Sequence, residues 1–317
     1  MIRQLPKAEL HLHLEGTLEP ETILKLADRN RIRLPYADVD DLASRYDFND
    51  LQSFLDLYYA NIATLQTPED FAEMTSAYLA RAVVAGVRHA EVFLDPQAHT
   101  SRGVPLEVVL DGVGSVLAAS QRRFGVSTGL IVSILRDHSA ESAMSTLDAV
   151  LASGVAVLGI GLDSAEVGHP PSKFVDVFAK ARAEGLHTVA HAGEEGPPSY
   201  VWEALDLLKV ERIDHGIRSL EDDELVRRLA DEQIPLTVCP LSNVRLRVVP
   251  DISQHPLPTM LERGLLVTVN SDDPAYFGGY VDDSYEALGL PAETLHTLAA
   301  NSIRASFLSD AQKSALL

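Results

Sequence analysis

The sequence predicts a (β/α)8 TIM barrel with a helical insertion after the first strand. Three observations lead there. Short apolar runs alternate with helix-patterned stretches, eight such runs are found, and no G-x-G-x-x-G follows the first. Repeated strand–helix units build parallel sheets, and eight of them close into a barrel. An open dinucleotide-binding sheet carries that glycine pattern in its first turn. The 317 residues suit one such barrel, so a single domain over 1–317 is expected.

The first strand is read as Ala8–His13. About seventy residues, Gly16 to Gly86, separate it from the second, far more than a usual βα loop. They hold helical segments Glu19–Asn30 and Leu51–Leu65. A third helix is read at Pro68–Ala85: Thr67 caps it, Pro68 takes the first helical position, acidic residues follow, and Gly86 stops it. An insertion at this end of a barrel sits over the pocket, so a lid is expected, with Phe48, Phe54, Leu55 and Tyr58 as an apolar wall. The later strands are Arg88–Leu94, Ser127–Leu135, Ala156–Leu162, His187–His191, Arg212–His215, Leu236–Cys239 and Leu266–Ser271. Val, Leu and Ile fill them and Gly, Pro, Asp or Glu bound them, as for strands buried on both faces. Helices Pro105–Phe124, Ala140–Ala152, Ser172–Glu184, Tyr200–Leu208, Asp222–Asp231 and Pro258–Arg263 alternate with them.

Composition narrows the function. An apolar fraction of 46% with 23% charged residues is that of a folded globular chain, not a disordered one. One cysteine, Cys239, excludes a disulfide framework and a Cys-rich zinc module, and fits a reducing, cytoplasmic setting. The longest mostly apolar stretch, Ala149 to Leu162, falls short of the roughly 20 residues a bilayer needs. No secretory signal is read near Arg3, Lys7 and Glu9, and no membrane partner is expected. A formal charge of −20 disfavours a nucleic-acid backbone as partner, because phosphates require clustered cations. It leaves open a small nucleobase, which has no phosphate.

The chemistry-bearing residues recur at strand ends. His11 and His13 are two apart, so both point to one face of a strand. Alone, that pair fits a satisfied core equally well. His191 ends the fifth strand, His215 the sixth, and Asp272 and Asp273 the eighth. In a barrel these ends converge on the mouth where active sites lie. Three neutral histidines with a carboxylate suit Zn²⁺ or Fe²⁺ rather than Ca²⁺ or Mg²⁺. Such an ion lowers the pKa of a bound water to about 7. Attack on carbon also needs proton donors and acceptors, and Glu194 and His215 stand next to the ligands in sequence or in strand order. Binuclear barrels of this kind need a bridging group, often a modified lysine ending strand four. That strand continues Asp163-Ser164-Ala165-Glu166 and the nearest lysine is Lys173, so one ion is expected.

These motifs resemble the adenosine deaminase branch of the amidohydrolase superfamily. The matching stretches are Pro6–Gly16, His191-Ala192-Gly193-Glu194, Asp214-His215-Gly216 and Ser271-Asp272-Asp273-Pro274, in family order across nearly the whole chain. The resemblance implies that His11, His13, His191 and Asp272 hold a catalytic zinc. It implies that Glu194 protonates the purine ring nitrogen beside the attacked carbon, that His215 orients or deprotonates the water, and that Asp273 bonds the purine near N7. An ionised carboxylate cannot donate to a bare N7, so either Asp273 carries a proton or the base binds as its N7–H tautomer.

Within that branch, Leu12–Pro20, Asp95-Pro96-Gln97 and Asp163–Phe174 look more like the adenine deaminases than the nucleoside enzymes. The resemblance therefore implies a purine base as the small-molecule substrate. Nucleoside-acting relatives usually carry Asp where Glu15 stands, and a glycine-containing turn near Glu166. A longer side chain at either place is expected to narrow the ribose space. Glu15 is read alternatively as support behind the site. Glu166 is expected to accept the N9–H of a free base, and Ser164 and Gly193 to touch the substrate. Adenosine, aminodeoxyfutalosine and N6-substituted adenines remain rival substrates. Amide or ester hydrolysis and a silent binding barrel are remoter rivals. His89, His99, His138, His187, His255 and His296 are given no function, and His169 is left open.

Overall fold

A computed structural model describes residues 1–317. Eight parallel strands follow one another in sequence order. They are β1 (Lys7–Glu9), β2 (Val87–Leu94), β3 (Ser127–Leu135), β4 (Gly159–Asp163), β5 (His187–Ala192), β6 (Arg212–His215), β7 (Leu236–Val238) and β8 (Val267–Val269). The seam between β8 and β1 closes near the mouth, where Leu12 bridges Asp272 and the Asp272 N–H donates to the His11 carbonyl at 3.1 Å. Lower down, side chains replace the missing ladder. Asn270 Oδ1 accepts the Leu10 N–H and Ser302 Oγ accepts the Ala8 N–H, each at 2.9 Å. Buried backbone donors are thereby satisfied without strand pairing. The expected (β/α)8 barrel is what forms.

Differences from the sequence reading sit at element ends. β1 is shorter than Ala8–His13, because Leu12 and His13 make only single bridges to Asp272 and Phe93. The segment read as Tyr200–Leu208 starts at Pro198 and widens into a π turn over Ala204–Leu208. Several helices were not anticipated: the short Val39–Ala43, Pro96–Thr100, Pro240–Arg245, Pro274–Phe277 and Asp310–Leu316, and then Val281–Ala287 and Ala292–Ala305. The last two both lie after β8. The second packs Leu295, Leu298 and Ile303 inward beside β1 and β8 and so covers the seam.

The inside of the barrel is layered. At its base Arg212 on β6 reaches across to Glu91 on β2, Nη1 to Oε2 at 2.6 Å, both fully buried. Burial opposes ionisation of Glu91, but Arg212, His89 and the Phe307 N–H outweigh it and hold its pKa at about 2. Above this plug lies Phe93, its ring 5.1 Å from those of both His11 and His13.

The insertion after β1 contains helices Pro20–Asn30, Val39–Ala43, Leu51–Ile62 and Pro68–Ala85. The last begins with the Thr67 cap, completed by Asp70 as a capping box, and ends at Gly86 with φ 85°. Only glycine adopts that left-handed backbone without strain. Leu51–Ile62 lies over the mouth with Leu51, Phe54, Leu55 and Tyr58 buried beneath it. No helix is long and apolar enough to cross a membrane.

Candidate active site

Four strand ends turn through left-handed backbone at the mouth: Ser164 after β4 (φ 71°), Gly193 after β5 (φ 73°), His215 ending β6 (φ 63°) and Asp272 after β8 (φ 64°). At the three non-glycine positions this costs on the order of 1 kcal/mol or more each. Such strain persists where the surroundings fix a side chain's aim.

The sequence-predicted metal ligands converge. His11 Nε2 lies 3.1 Å and His13 Nε2 3.4 Å from the same Asp272 oxygen. The ligand atoms of His11, His13 and His191 all lie within 4.8 Å of one another. His191 Nε2 is buried and has no hydrogen-bond partner. The tautomer of His11 follows from its neighbours. The Thr237 hydroxyl donates to Asp214 at 2.7 Å, so it accepts from His11 Nδ1–H at 3.0 Å. His11 Nε2 is then the bare nitrogen, facing Asp272. Burial, helped by neighbouring imidazoles, lowers His13 to about 4 and His191 well below the usual range. Neutral imidazole is the metal-binding form. For His11, burial is outweighed by Asp272 and Asp214, which raise its pKa. Three histidine nitrogens and a carboxylate, one of the nitrogens orphaned in the interior, fit a divalent ion of the zinc or iron class. Lys173 lies apart from them, its Nζ donating to the Arg136 carbonyl at 3.0 Å.

Two carboxyl groups flank this donor set. Glu194 Oε2 is 3.5 Å from His215 Nε2, which is 3.9 Å from Asp272. Burial, reinforced by Asp272, pushes Glu194 well above the ordinary carboxylate range, and the same two causes act on Asp273. Both carboxyls are thereby biased toward the form that holds a proton. Burial lowers His215 to about 3, so it is neutral. Asp273 is packed against Gly16, where an added Cβ would lie 2.0 Å from Oδ1. No residue with a side chain fits there.

Glu166 does something other than the sequence suggests. It is only 1% exposed, so it is not a surface carboxylate. Its Oε1 accepts the Gly193 N–H at 2.7 Å. Its Oε2 accepts the N–H groups of Glu194, Glu195 and Gly196 at 3.1, 2.8 and 2.7 Å. Both oxygens are thus occupied by backbone, which corrects the expectation that they meet the base. The Gly193 amide is used in the first of these bonds, and Gly193 is not among the residues that line the cavity. The loop is held from the lid side too, where Glu195 Oε1 accepts the Leu51 N–H at 3.1 Å. Glu15 likewise does not narrow the pocket. It lies behind it, accepting from His99 Nε2 at 2.9 Å and from the Asp95 N–H at 3.1 Å. His99, given no function from sequence, is its partner.

The cavity is bounded on its apolar side by Leu51, Phe54, Leu55, Tyr58, Leu246 and Phe277. Phe48 sits one layer back, its ring 5.4 Å from Phe54. Ser164 faces the cavity with its hydroxyl 2.9 Å from Tyr59 Oη. Two residues quoted in sequence only as likeness also face it: Asp95 after β2 and Asp163 ending β4. Asp163 Oδ2 is 3.6 Å and Asp95 Oδ1 4.0 Å from His13 Nδ1. Their position at strand ends was the available signal. Arg136 was also missed. Fully buried, it donates to the carbonyls of His191 at 2.7 Å and His169 at 2.8 Å, tying the β4 loop to the end of β5. His169 contributes its backbone here.

Known proteins are similar to this chain over nearly its whole length. An adenine deaminase of Streptomyces coelicolor is 61% identical over 310 residues, covering 96% of this chain and 91% of its own. The crystal structure of an adenine deaminase from Arthrobacter aurescens is 62% identical, with a TM-score of 0.97 over 98% of this chain and 97% of that one. An amidohydrolase from Burkholderia ambifaria, solved with bound zinc, is 31% identical with a TM-score of 0.91, over 99% and 89% of the two chains. The adenosine deaminase family pattern matches residues 6–317, from before the first histidine pair to the last residue. With that span matched and relatives this similar over their length, the chain belongs to the adenosine deaminase family.

Proposed function

We propose that the chain converts free adenine and water into hypoxanthine and ammonia, with one zinc ion held by His11, His13, His191 and Asp272. The carrying observation is Glu194 Oε2 3.5 Å from His215 Nε2, both buried against the converging His/Asp donors. The adenine deaminases that resemble this chain over nearly its full length support the choice of substrate. A divalent ion at this site supplies a water of lowered pKa, about 7, as nucleophile.

The residues of the chain do the rest. The apolar lid residues Phe54, Leu55 and Tyr58 exclude bulk water and face a flat ring. Glu194 donates its proton to N1, which draws electrons from C6 and opens it to attack. His215 Nε2 faces Asp272 Oδ2, whereas His13 faces Oδ1, and His215 receives the proton of the water. The bond from C6 to the new oxygen forms; His215 passes the proton it received to the amino nitrogen, whose bond to C6 breaks as ammonia leaves; and the proton remaining on the new oxygen returns to Glu194 as the 6-oxo group forms. Asp273, whose carboxyl burial and Asp272 bias toward holding a proton, donates to N7. This supports the carboxyl-donor alternative over the N7–H tautomer. A lone buried thiol, Cys239, fits a reducing cytoplasm as the setting.

Glu194→Gln tests the reading. It keeps the shape and removes the transferable proton, so kcat should fall by about 10² to 10⁴. Metal content measured on the same sample should not change. Near-normal kcat with metal in place contradicts the assignment.

A further inference from the structure

Asp163 and Asp95 are only 2% and 3% exposed, yet they line the cavity. Both oxygens of Asp163 and Oδ1 of Asp95 lack any hydrogen-bond partner. Their ligand atoms and that of His13 lie within 4.8 Å of one another. Buried acceptors in this state call for a donor. The buried Arg136 acts on Asp163 through its charge but spends its hydrogen bonds on the backbone carbonyls of His169 and His191. The neighbouring Asp95 carboxyl and the Ser133 hydroxyl lie close to Asp163 without forming a well-aligned hydrogen bond, and His13 Nδ1 is 3.6 Å from Asp163 and 4.0 Å from Asp95, beyond good hydrogen-bond range.

The order of groups around the mouth says what that donor is. This step rests on the purine placement above, with C6 at the metal donors, N1 at Glu194 after β5 and N7 at Asp273 after β8. The remaining arc of the mouth runs from β4 back to β2. It carries Ser164, Asp163 and Asp95. Around the rim of a purine, the atoms between N1 and N7 on the far side from C6 are N3 and then N9. N3 is a bare acceptor and lies on the N1 side, toward Ser164. The Tyr59–Ser164 hydroxyl pair has a hydrogen to spare beyond the one it shares. N9 carries a hydrogen only in the free base. In a nucleoside it carries a sugar.

We propose that Asp163 and Asp95 accept the N9–H of a free purine base, with Ser164 serving N3, and that this carboxyl pair makes the site select base over nucleoside. A substituent on N9 removes the donor and pushes into the two side chains at once. A site built to bond a particular N–H rejects analogues lacking it by about 10⁴ or more, because its own buried groups are left unpaired. Glu166 is excluded from this role by its four backbone amides.

The test compares adenine with 9-methyladenine on the metal-loaded protein and on its Asp163→Ala, Asp95→Ala and Asp163→Asn variants. Metal content is measured throughout. The normal protein should favour adenine in kcat/KM by at least about 10²-fold. Truncating either aspartate opens space and removes an acceptor. The preference should then shrink by about tenfold or more, with KM for adenine rising more than kcat falls. Asp163→Asn keeps the volume and guards against loss of folding. Three results overturn the inference: equal use of both substrates by the normal protein, an unchanged preference in every variant while both activities fall together, or a second ion per chain that Asp163→Ala releases. The second assigns the pair to orienting His13, the third to a further metal site. Failure of the normal protein to act on adenine at all refutes instead the function on which the inference rests.

Discussion

Replacing Glu166 with glutamine separates holding the catalytic loop from touching the substrate. The carboxylate accepts four amides, one on Oε1 and three on Oε2. A glutamine side chain has one carbonyl oxygen. Placed to serve the three, it turns its NH2 toward the Gly193 N–H and leaves that donor unpaired, at a cost of about 1–3 kcal/mol. The other three lose the strengthening that an ionised acceptor gives. The total is about 3 kcal/mol, and it falls on the segment that carries Glu194. A catalytic group displaced by about 1 Å costs on the order of 10²-fold in rate. Glu166→Gln should therefore lower kcat by about 10²-fold, with the metal retained and KM changed less. Steady-state hypoxanthine formation, with metal analysis of the same sample, measures this. A rise in KM for adenine at constant kcat would refute the loop-holding role and restore a direct contact with the base.

Other expectations follow from the same geometry. Gly16→Ala would place a Cβ only 2.0 Å from Asp273 Oδ1, so Asp273 must move and kcat/KM should drop by about tenfold or more; normal kinetics would mean that Asp273 is not fixed there. Chelation should abolish activity and lower the melting temperature, and zinc should restore both, since a ligand bound only by the folded state stabilises it; an unchanged melting curve would argue against a metal at the buried histidines. Glu91 has a folded pKa near 2 against a model-peptide value of 4.5, so its contribution, on the order of 3 kcal/mol, is complete above about pH 4.5 and is lost as pH falls toward 2. The stability difference from Glu91→Gln, followed by urea unfolding, should shrink over that acid range and be flat from pH 6 to 8; a difference that grows on acidification would contradict the ion pair.

Much of this was legible in the sequence because periodic burial and strand-end chemistry are local signals. β3 and β6 and the helix Pro68–Ala85 have the boundaries that their composition and caps imply. The histidines and Asp272 come together because parallel strands deliver their ends to one mouth. Glu166 was misread because a carboxylate's partners are backbone amides some thirty residues on, and amides carry no residue identity. Its neighbour Gly196 would clash with it as alanine, at 2.5 Å, but a glycine in a loop reads as any turn. Asp163 and Asp95 were passed over for a related reason. Each looks like an ordinary residue ending a strand until the barrel sets both beside His13. The left-handed turns at Ser164, His215 and Asp272 left no mark at all, since none is glycine.

The most direct test is to supply metal-loaded protein with adenine and with adenosine, side by side, and to measure ammonia release. Rapid release from adenine with none from adenosine is the expected result. Release from adenosine alone would keep the deaminating centre and contradict the free-base site; release from neither, with one zinc bound per chain, would contradict the proposed reaction.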